Sequence, residues 1–345
     1  MAGASNTALA QEKAAAPATA AEQQDSAQPG NFGDIIVTAQ RRAENIQDVP
    51  VAVSAFTPDM LTRQGVFKAQ DLARVTPSLQ VSRFVGSPTA VSFGIRGQRT
   101  NDVRMNAESA VVTYIADVPQ HLPFGIGLTG FLDLASVQVL RGPQGTLFGK
   151  NSTGGAVLLT PNTPTDNFEG SFRLTVGNFD KIEGQAVANI PLGEGIGLRF
   201  AGIAGKRNAF IKNRAFNDLN SENYHGGRAS FKIDKGDFSS TFYGDYLKFN
   251  GSGQAGRLAA VNPAGLAQFV PAGPGLPAVG LAQLQAIMAQ NQQDFYSTSS
   301  TRPLYARTKV WGVSNTTTLQ LSDAFTLKNI MGYRSIRNHQ DSEAN

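Results

Sequence analysis

The chain contains no cysteine. That excludes disulfides, thiolate metal centres and cysteine nucleophiles. No run of 18 or more apolar residues occurs, which excludes a helical membrane span. It leaves strand spanning open, because a transmembrane β-strand needs only ~10 alternating residues. Charge is sparse: 30 Lys+Arg against 26 Asp+Glu give a net +4, and charged residues make up 16% of the chain. The excess is not clustered along the sequence, so a nucleic-acid partner has no support. The only histidines, His121, His225 and His339, are far apart and lack metal-ligand spacing. They are expected in loops or facing a lumen, and no metal is expected.

Two near-motifs fail on spacing. In GTLFGKNS, Gly145 and Gly149 bracket three residues where a phosphate loop needs four, and Asn151 stands where Ser or Thr is required. Gly251, Gly253 and Gly256 spell G-x-G-x-x-G, but no acidic residue follows until Asp294 and no βαβ context surrounds them. A G-x-S-x-G elbow is absent. With no catalytic grouping to support, the reading is a non-enzyme without a cofactor.

Glycine is what the chain has in quantity, 36 residues in all. Five of them lie in one stretch, Val137 to Thr160, reading VQVLRGPQGTLFGKNSTGGAVLLT. Two apolar strands, one through Val137 and Val139 and one from Ala156 to Leu159, flank an Arg-Gly-Pro turn and a glycine-rich loop. Gly142, Gly145, Gly149, Gly154 and Gly155 permit positive φ or close backbone approach, and Pro143 fixes one φ and removes a donor.

Upstream, Ala8-Leu9-Ala10 before Gln11 has the form of a signal-peptide cleavage site, without the basic and apolar regions that should precede it; a start truncated upstream of it is expected. Residues 11–33, rich in Ala, Gln, Pro and Glu, cannot offset their ordering entropy and read as a disordered tether. At Asp34 a β-prone run begins, DIIVTAQRR. It is either the first strand of the next domain or a peptide that adds as an edge strand to a partner. Val49–Phe56 alternates as a strand, and Thr57 before Pro58 marks a helix start. That helix should stop near Gly65, and a second, Phe67–Arg74, before Pro77. Strand-like runs at Leu79–Phe84, Ser92–Gln98 and Val111–Gln120 complete an α+β globule.

From Phe168 the texture changes. Phe172, Leu174 and Val176 alternate with Ser171, Arg173 and Thr175, and the same period of two recurs at 181–190, 196–206, 228–233, 238–246, 305–321 and 325–337. Seven strands of roughly ten residues result, apolar on one face and polar on the other. A soluble sandwich also alternates. The connections discriminate better: short ones at 191–195, 234–237 and 322–324 interleave with long ones at 208–221 and 250–302, a pattern of short periplasmic turns and long external loops. A helix is expected from Leu281 to Gln290. Tyr224, Tyr246, Tyr305 and Tyr333 fall toward strand ends, where a membrane aromatic belt would lie, and the polar tail after Arg337 reads as a further external loop. Seven strands alone would leave two open edges, whereas a barrel enclosing a globular domain needs about 22; the front of a longer barrel protein is expected, one that would not be stable alone.

Several of these segments resemble the TonB-dependent outer-membrane receptors. LRGPQGTLFG followed by a GG-x-[VIL] strand resembles the end of their plug domain. DVPV, LARVTPSL, IRG and the run Tyr114, Ala116, Asp117, Val118-Pro119 resemble earlier plug motifs, the last slightly shifted from Y-x-D-G-V-P. The resemblance implies the following. Residues 34–40 (Asp34, Ile35, Ile36, Val37, Thr38, Ala39 and Gln40) are a TonB box, 41–167 the plug, and 168–345 part of a transmembrane β-barrel. Arg96 and Arg141 latch the plug to glutamates of the barrel wall lying beyond residue 345. A scarce, bulky nutrient, most simply a ferric siderophore, is the small-molecule ligand, TonB the periplasmic partner and outer-membrane lipid the surroundings. The alternatives are a passive porin or structural barrel, which has no use for a plug, and a barrel enzyme, for which catalytic residues are missing.

Overall fold

The computed structural model describes residues 36–39, 42, 44–84, 87–100, 108–254, 281–294, 296–298, 300 and 302–341. The expected tether over 1–33, together with Asp34, Ile35, Gln40 and Gly256, lies outside the described residues.

Strands β1 (Ile36–Val37) and β2 (Glu44–Asn45) form a small antiparallel ladder. Strand β3 (Val53–Phe56) leads into helix α1 (Pro58–Arg63), where Thr57 accepts the Met60 N–H at 3.4 Å and proline occupies the first turn. The expected helix over 67–74 is instead a 3₁₀ turn, Ala69–Asp71, running into a single α-turn, α2 (Leu72–Val75). Asp71 accepts the Phe67 and Lys68 N–H groups, which fixes this tight entry. Then come the hairpin β4 (Leu79–Phe84) and β5 (Ser87–Ile95), and the hairpin β6 (Val111–Ile115) and β7 (Val118–Gln120). Strand β8 (Leu134–Arg141), the turn α3 (Gly145–Phe148) and β9 (Gly155–Pro161) complete the unit. Its mixed sheet has the order β3-β8-β9-β6-β7, with β6 and β9 parallel. One face packs on α1 and α2 through Leu61, Leu72, Val137, Val139, Val157 and Leu159. The other carries Leu140, Tyr114, Phe148 and Leu158.

The second unit is one antiparallel sheet of seven long strands. In chain order these are β10 (Glu169–Gly177), β11 (Lys181–Gly193), β12 (Ile196–Arg207), β14 (Glu222–Lys235), β15 (Phe238–Ser252), β17 (Tyr305–Ser322) and β18 (Phe325–Gln340). The loops between them hold the two-residue strands β13 (Lys212–Asn213) and β16 (Ser297–Thr298), paired in parallel, and helix α4 (Leu281–Gln293). All seven expected strands are present, and the last continues through the polar segment expected as loop, to Gln340. One face of this sheet is exposed and apolar, carrying Phe172, Leu174, Val176, Phe242, Trp311, Met331 and Tyr333. The opposite face covers the mixed unit, with Leu247 and Val310 against Phe84, Ala90 and Phe124.

Tyr224 departs from the expected belt. It lies on the inner parity, 3% exposed, with its hydroxyl donating to Glu183 and its ring stacked on Phe249. Period two alone does not say which parity faces lipid when the inner face is partly apolar too. His225 departs likewise: it stands on the outer parity, exposed, beside Tyr246.

Candidate functional site

The informative region is the interface between the globular unit and the inner face of the sheet. Arg199 on β12 donates from Nε to Asp133 Oδ2 at 2.7 Å and from Nη2 to Oδ1 at 2.8 Å, a planar fork matched to a carboxylate. Its Nη1 reaches Glu169 on β10 at 3.1 Å. Asp133 sits at positive φ (50°) just before β8 and also accepts from Asn162 Nδ2 at 2.7 Å. Burial pushes its carboxyl up, but hydrogen bonds from Arg199 and Asn162 and the positive charges of Arg199 and Arg228 outweigh that, holding it below the usual carboxylate range.

A second cation, Arg228 on β14, is buried and donates to two main-chain carbonyls of the globular unit, Leu132 O at 2.7 Å and Thr129 O at 3.0 Å. Arg334 on β18 pairs with Asp245 on β15 at 2.7 Å, and Lys328 on β18 reaches Asp117 in the β6–β7 turn at 2.9 Å. The connection between the units is tied down by Asn189 of β11, which accepts the Thr165 N–H and donates to the carbonyls of Thr165 and Asn167. Of these residues the sequence singles out only Asp117, as part of a plug motif and not for this contact. The available signal was an arginine on the polar parity of two neighbouring strands, Arg199 and Arg228, where a lumen filled only with water would not require one.

Between the units, toward the strand ends joined by residues 177–181 and 207–222, lies a cavity of about 400 Å³. Phe67, Lys68 and Arg83 line it from the globular side, and Arg173, Arg207 and Tyr224 from the sheet. Its carboxylates are already engaged: Asp71 by Arg74, Glu183 by Lys181 and Tyr224, and Glu222 by Arg207. Arg173 stacks over the Phe67 ring at 4.4 Å. The space is therefore aromatic with a cationic balance.

The sequence-derived site residues fall in three places. Arg96, exposed at φ 52°, and Arg141, half-buried, end β5 and β8 side by side: Arg96 Nη1 would lie 3.3 Å from a Cβ at Gly142. Among the described residues neither forms an ion pair, and Arg141 Nε is buried without a hydrogen-bond partner. Of the loop glycines, Gly142, Gly149 and Gly155 adopt positive φ, and a Cβ on Gly155 would sit 2.1 Å from Leu140 O. Gly154 packs against Gln98 and Val111, whereas Gly145 opens α3 with room around it. The segment Ile36–Ala39 is docked rather than isolated. Val37 and Ala39 are fully buried against the sheet, and Gln138 both accepts the Thr38 N–H at 2.9 Å and donates to its hydroxyl at 3.3 Å.

Comparison with known proteins agrees with this architecture. Residues 45–156 match the family model described as TonB-dependent Receptor Plug Domain. The pesticin receptor of Yersinia pestis is 27% identical over 163 residues, 47% of this chain and 24% of that protein. The ferripyoverdine receptor of Pseudomonas aeruginosa is 25% identical over 189 residues, covering 54% and 22% respectively. The chain thus spans about a quarter of the curated relatives it matches. Among solved structures, the ferric yersiniabactin uptake receptor of Yersinia pestis superimposes with a TM-score of 0.63 at 18% identity, over 84% of this chain and 41% of that one. The outer-membrane ferripyoverdine receptor of Pseudomonas aeruginosa gives 0.64 at 16%, over 92% and 38%. Residues 45–156 of the globular unit thus match a TonB-dependent receptor plug, and the seven-stranded sheet has the fold of the barrel wall in the outer-membrane receptors on which the chain superimposes.

Proposed function

We propose that the complete protein imports a scarce, bulky solute, a ferric siderophore in the simplest case, across the outer membrane, driven by TonB acting on Asp34–Gln40. The observation that carries this reading is the plug held on the inner wall by discrete polar bonds, Asp133–Arg199 and the Leu132 and Thr129 carbonyls to Arg228. Such bonds can exchange for water, so the plug closes the lumen and can still be displaced. The aromatic, cationic cavity between plug and wall suits an anionic chelate. Arg96 and Arg141 act as a further latch to wall carboxylates, supported by the unsatisfied Arg141 Nε. No covalent chemistry is assigned. The names of the relatives, a pesticin receptor, a ferripyoverdine receptor and a vitamin B12 transporter, fit import without choosing the solute.

The test is uptake of radiolabelled ferric siderophores by cells carrying the complete gene. Ile36→Pro removes the strand-forming N–H of the box. Uptake should then fall to background while surface binding of the same chelate is retained; unchanged uptake would contradict energy coupling through this segment.

A further inference from the structure

On the inner face of the wall, strand register sets Arg228, Asp245, Gly312 and Arg334 in one cross-strand row over β14, β15, β17 and β18. The row holds two cations and one carboxylate. Arg334 lies across Gly312, where a Cβ would sit 3.4 Å from its Nε, and donates from Nη2 to Asp245 Oδ1 at 2.7 Å. Arg228 is the direct cross-strand partner of Asp245 but turns away from it. Its guanidinium donates instead to the plug carbonyls of Leu132 and Thr129. Asp245 Oδ2 is left buried, with no hydrogen-bond partner among the described residues.

A purely structural ion pair takes a different form in this same interface. Arg199 engages both carboxylate oxygens of Asp133 with one planar fork. A buried carboxylate oxygen left unpaired keeps its full desolvation cost, which a donor arriving in another state of the molecule would offset. Such a donor stands directly opposite. Cross-strand partners on one sheet face have Cβ atoms about 4.5–5.5 Å apart, so the Arg228 guanidinium reaches Oδ2 by side-chain rotation. A cavity of about 20 Å³, with Gln120, Arg228, Tyr243, Asp245 and Arg334 on its polar side, has room for about one water. The turn therefore displaces little and needs no backbone movement.

We infer that Asp245 is the second seat of Arg228, which binds the plug carbonyls when the plug is docked and swings to Asp245 Oδ2 when the plug is released. One wall–plug interaction is then exchanged for one within the wall, and the row of two cations around a carboxylate closes on itself. Redocking reverses the exchange. Asp245 is thus a positioning residue that acts through Arg228. The inference rests on the reading that the plug leaves the wall during import, and it specifies what the wall does at that moment.

Release is measurable without solute or TonB. In the full-length receptor, kept free of other cysteines, Ala90→Cys puts a thiol at a fully buried plug position against Leu247 and Val310 of the wall. Its labelling in sub-denaturing urea reports how often the plug opens from the wall. Asp245→Asn should slow labelling about tenfold, through loss of one charged hydrogen bond from the released state alone. Arg334→Gln should speed it, by freeing the whole carboxylate for Arg228. Both substitutions break the same Asp245–Arg334 pair, so a merely structural pair would move both rates in one direction. With Arg228→Met, which itself should speed labelling, neither substitution should change the rate by more than about twofold. Heat-shifted gel mobility reports folding; if Asp245→Asn fails it, the Arg334→Gln acceleration and its disappearance with Arg228→Met decide. Faster labelling in both Asp245→Asn and Arg334→Gln overturns the inference, as does an effect of either that persists without Arg228. So does wild-type labelling in Asp245→Asn. Failure of the import reading would appear in uptake and leave these rates unchanged.

Discussion

Arg199 of the wall grips both carboxylate oxygens of Asp133 on the plug, at 2.7 and 2.8 Å, with both side chains about nine-tenths buried. Removing one member of a buried ion pair strands the other in a low-dielectric site. Asp133→Asn should therefore weaken plug docking by about 3 kcal/mol, at the low end of the usual 3–5 because Glu169 still holds one Arg199 nitrogen. Urea titration of the full-length receptor, read by protease protection of the plug, checks the value. The pH dependence has a fixed sign. The folded-state pKa of Asp133 is lowered, so its contribution is complete above the ordinary value of about 3.9 and disappears as pH falls through the lowered one. Docking should weaken in that acid window, and Asp133→Asn should flatten the dependence.

Gly155 sits at φ 144° with Leu140 O where a Cβ would be. Gly155→Ala should cost at least about 2 kcal/mol of plug stability, from a backbone region closed to L side chains and from the clash. Gly145→Ala should cost little, since nothing lies within 4 Å of its added Cβ. Thermal unfolding of the two variants side by side decides between a structural and a ligand-cradling loop.

The docked segment Ile36–Ala39 makes a kinetic prediction. In a chain without cysteine, Ala39→Cys places one thiol at a fully buried position. Labelling should be slow. Adding Gln138→Leu removes both side-chain hydrogen bonds to Thr38 and should speed labelling about tenfold, since each such bond contributes about 0.5–1.5 kcal/mol to closing the segment. Equal rates would mean that Gln138 does not hold this segment.

What could be read from the sequence was whatever depends on neighbours along the chain. Wall strands announce themselves because side chains alternate every second residue, and Thr57-Pro58 starts a helix because the cap and the fixed φ act within one turn. The plug–wall contacts could not be read. Asp133 and Arg199 are 66 residues apart, and nothing local to either residue requires the other. Lys248 and Lys309 likewise become neighbours only through the β15–β17 register. Tyr224 shows the converse limit, since its place near a strand end suggested lipid and its parity gave it to the lumen.

The proposed import requires the plug to move against the wall. Val118 on the plug and Gly332 on the wall touch closely enough that a Cβ at 332 would lie 3.3 Å from that of Val118, near disulfide range. In the full-length receptor, oxidised Val118→Cys/Gly332→Cys should bind a ferric siderophore normally and take up none, with uptake restored by reduction. Uptake at the wild-type rate while the disulfide is intact would contradict the account.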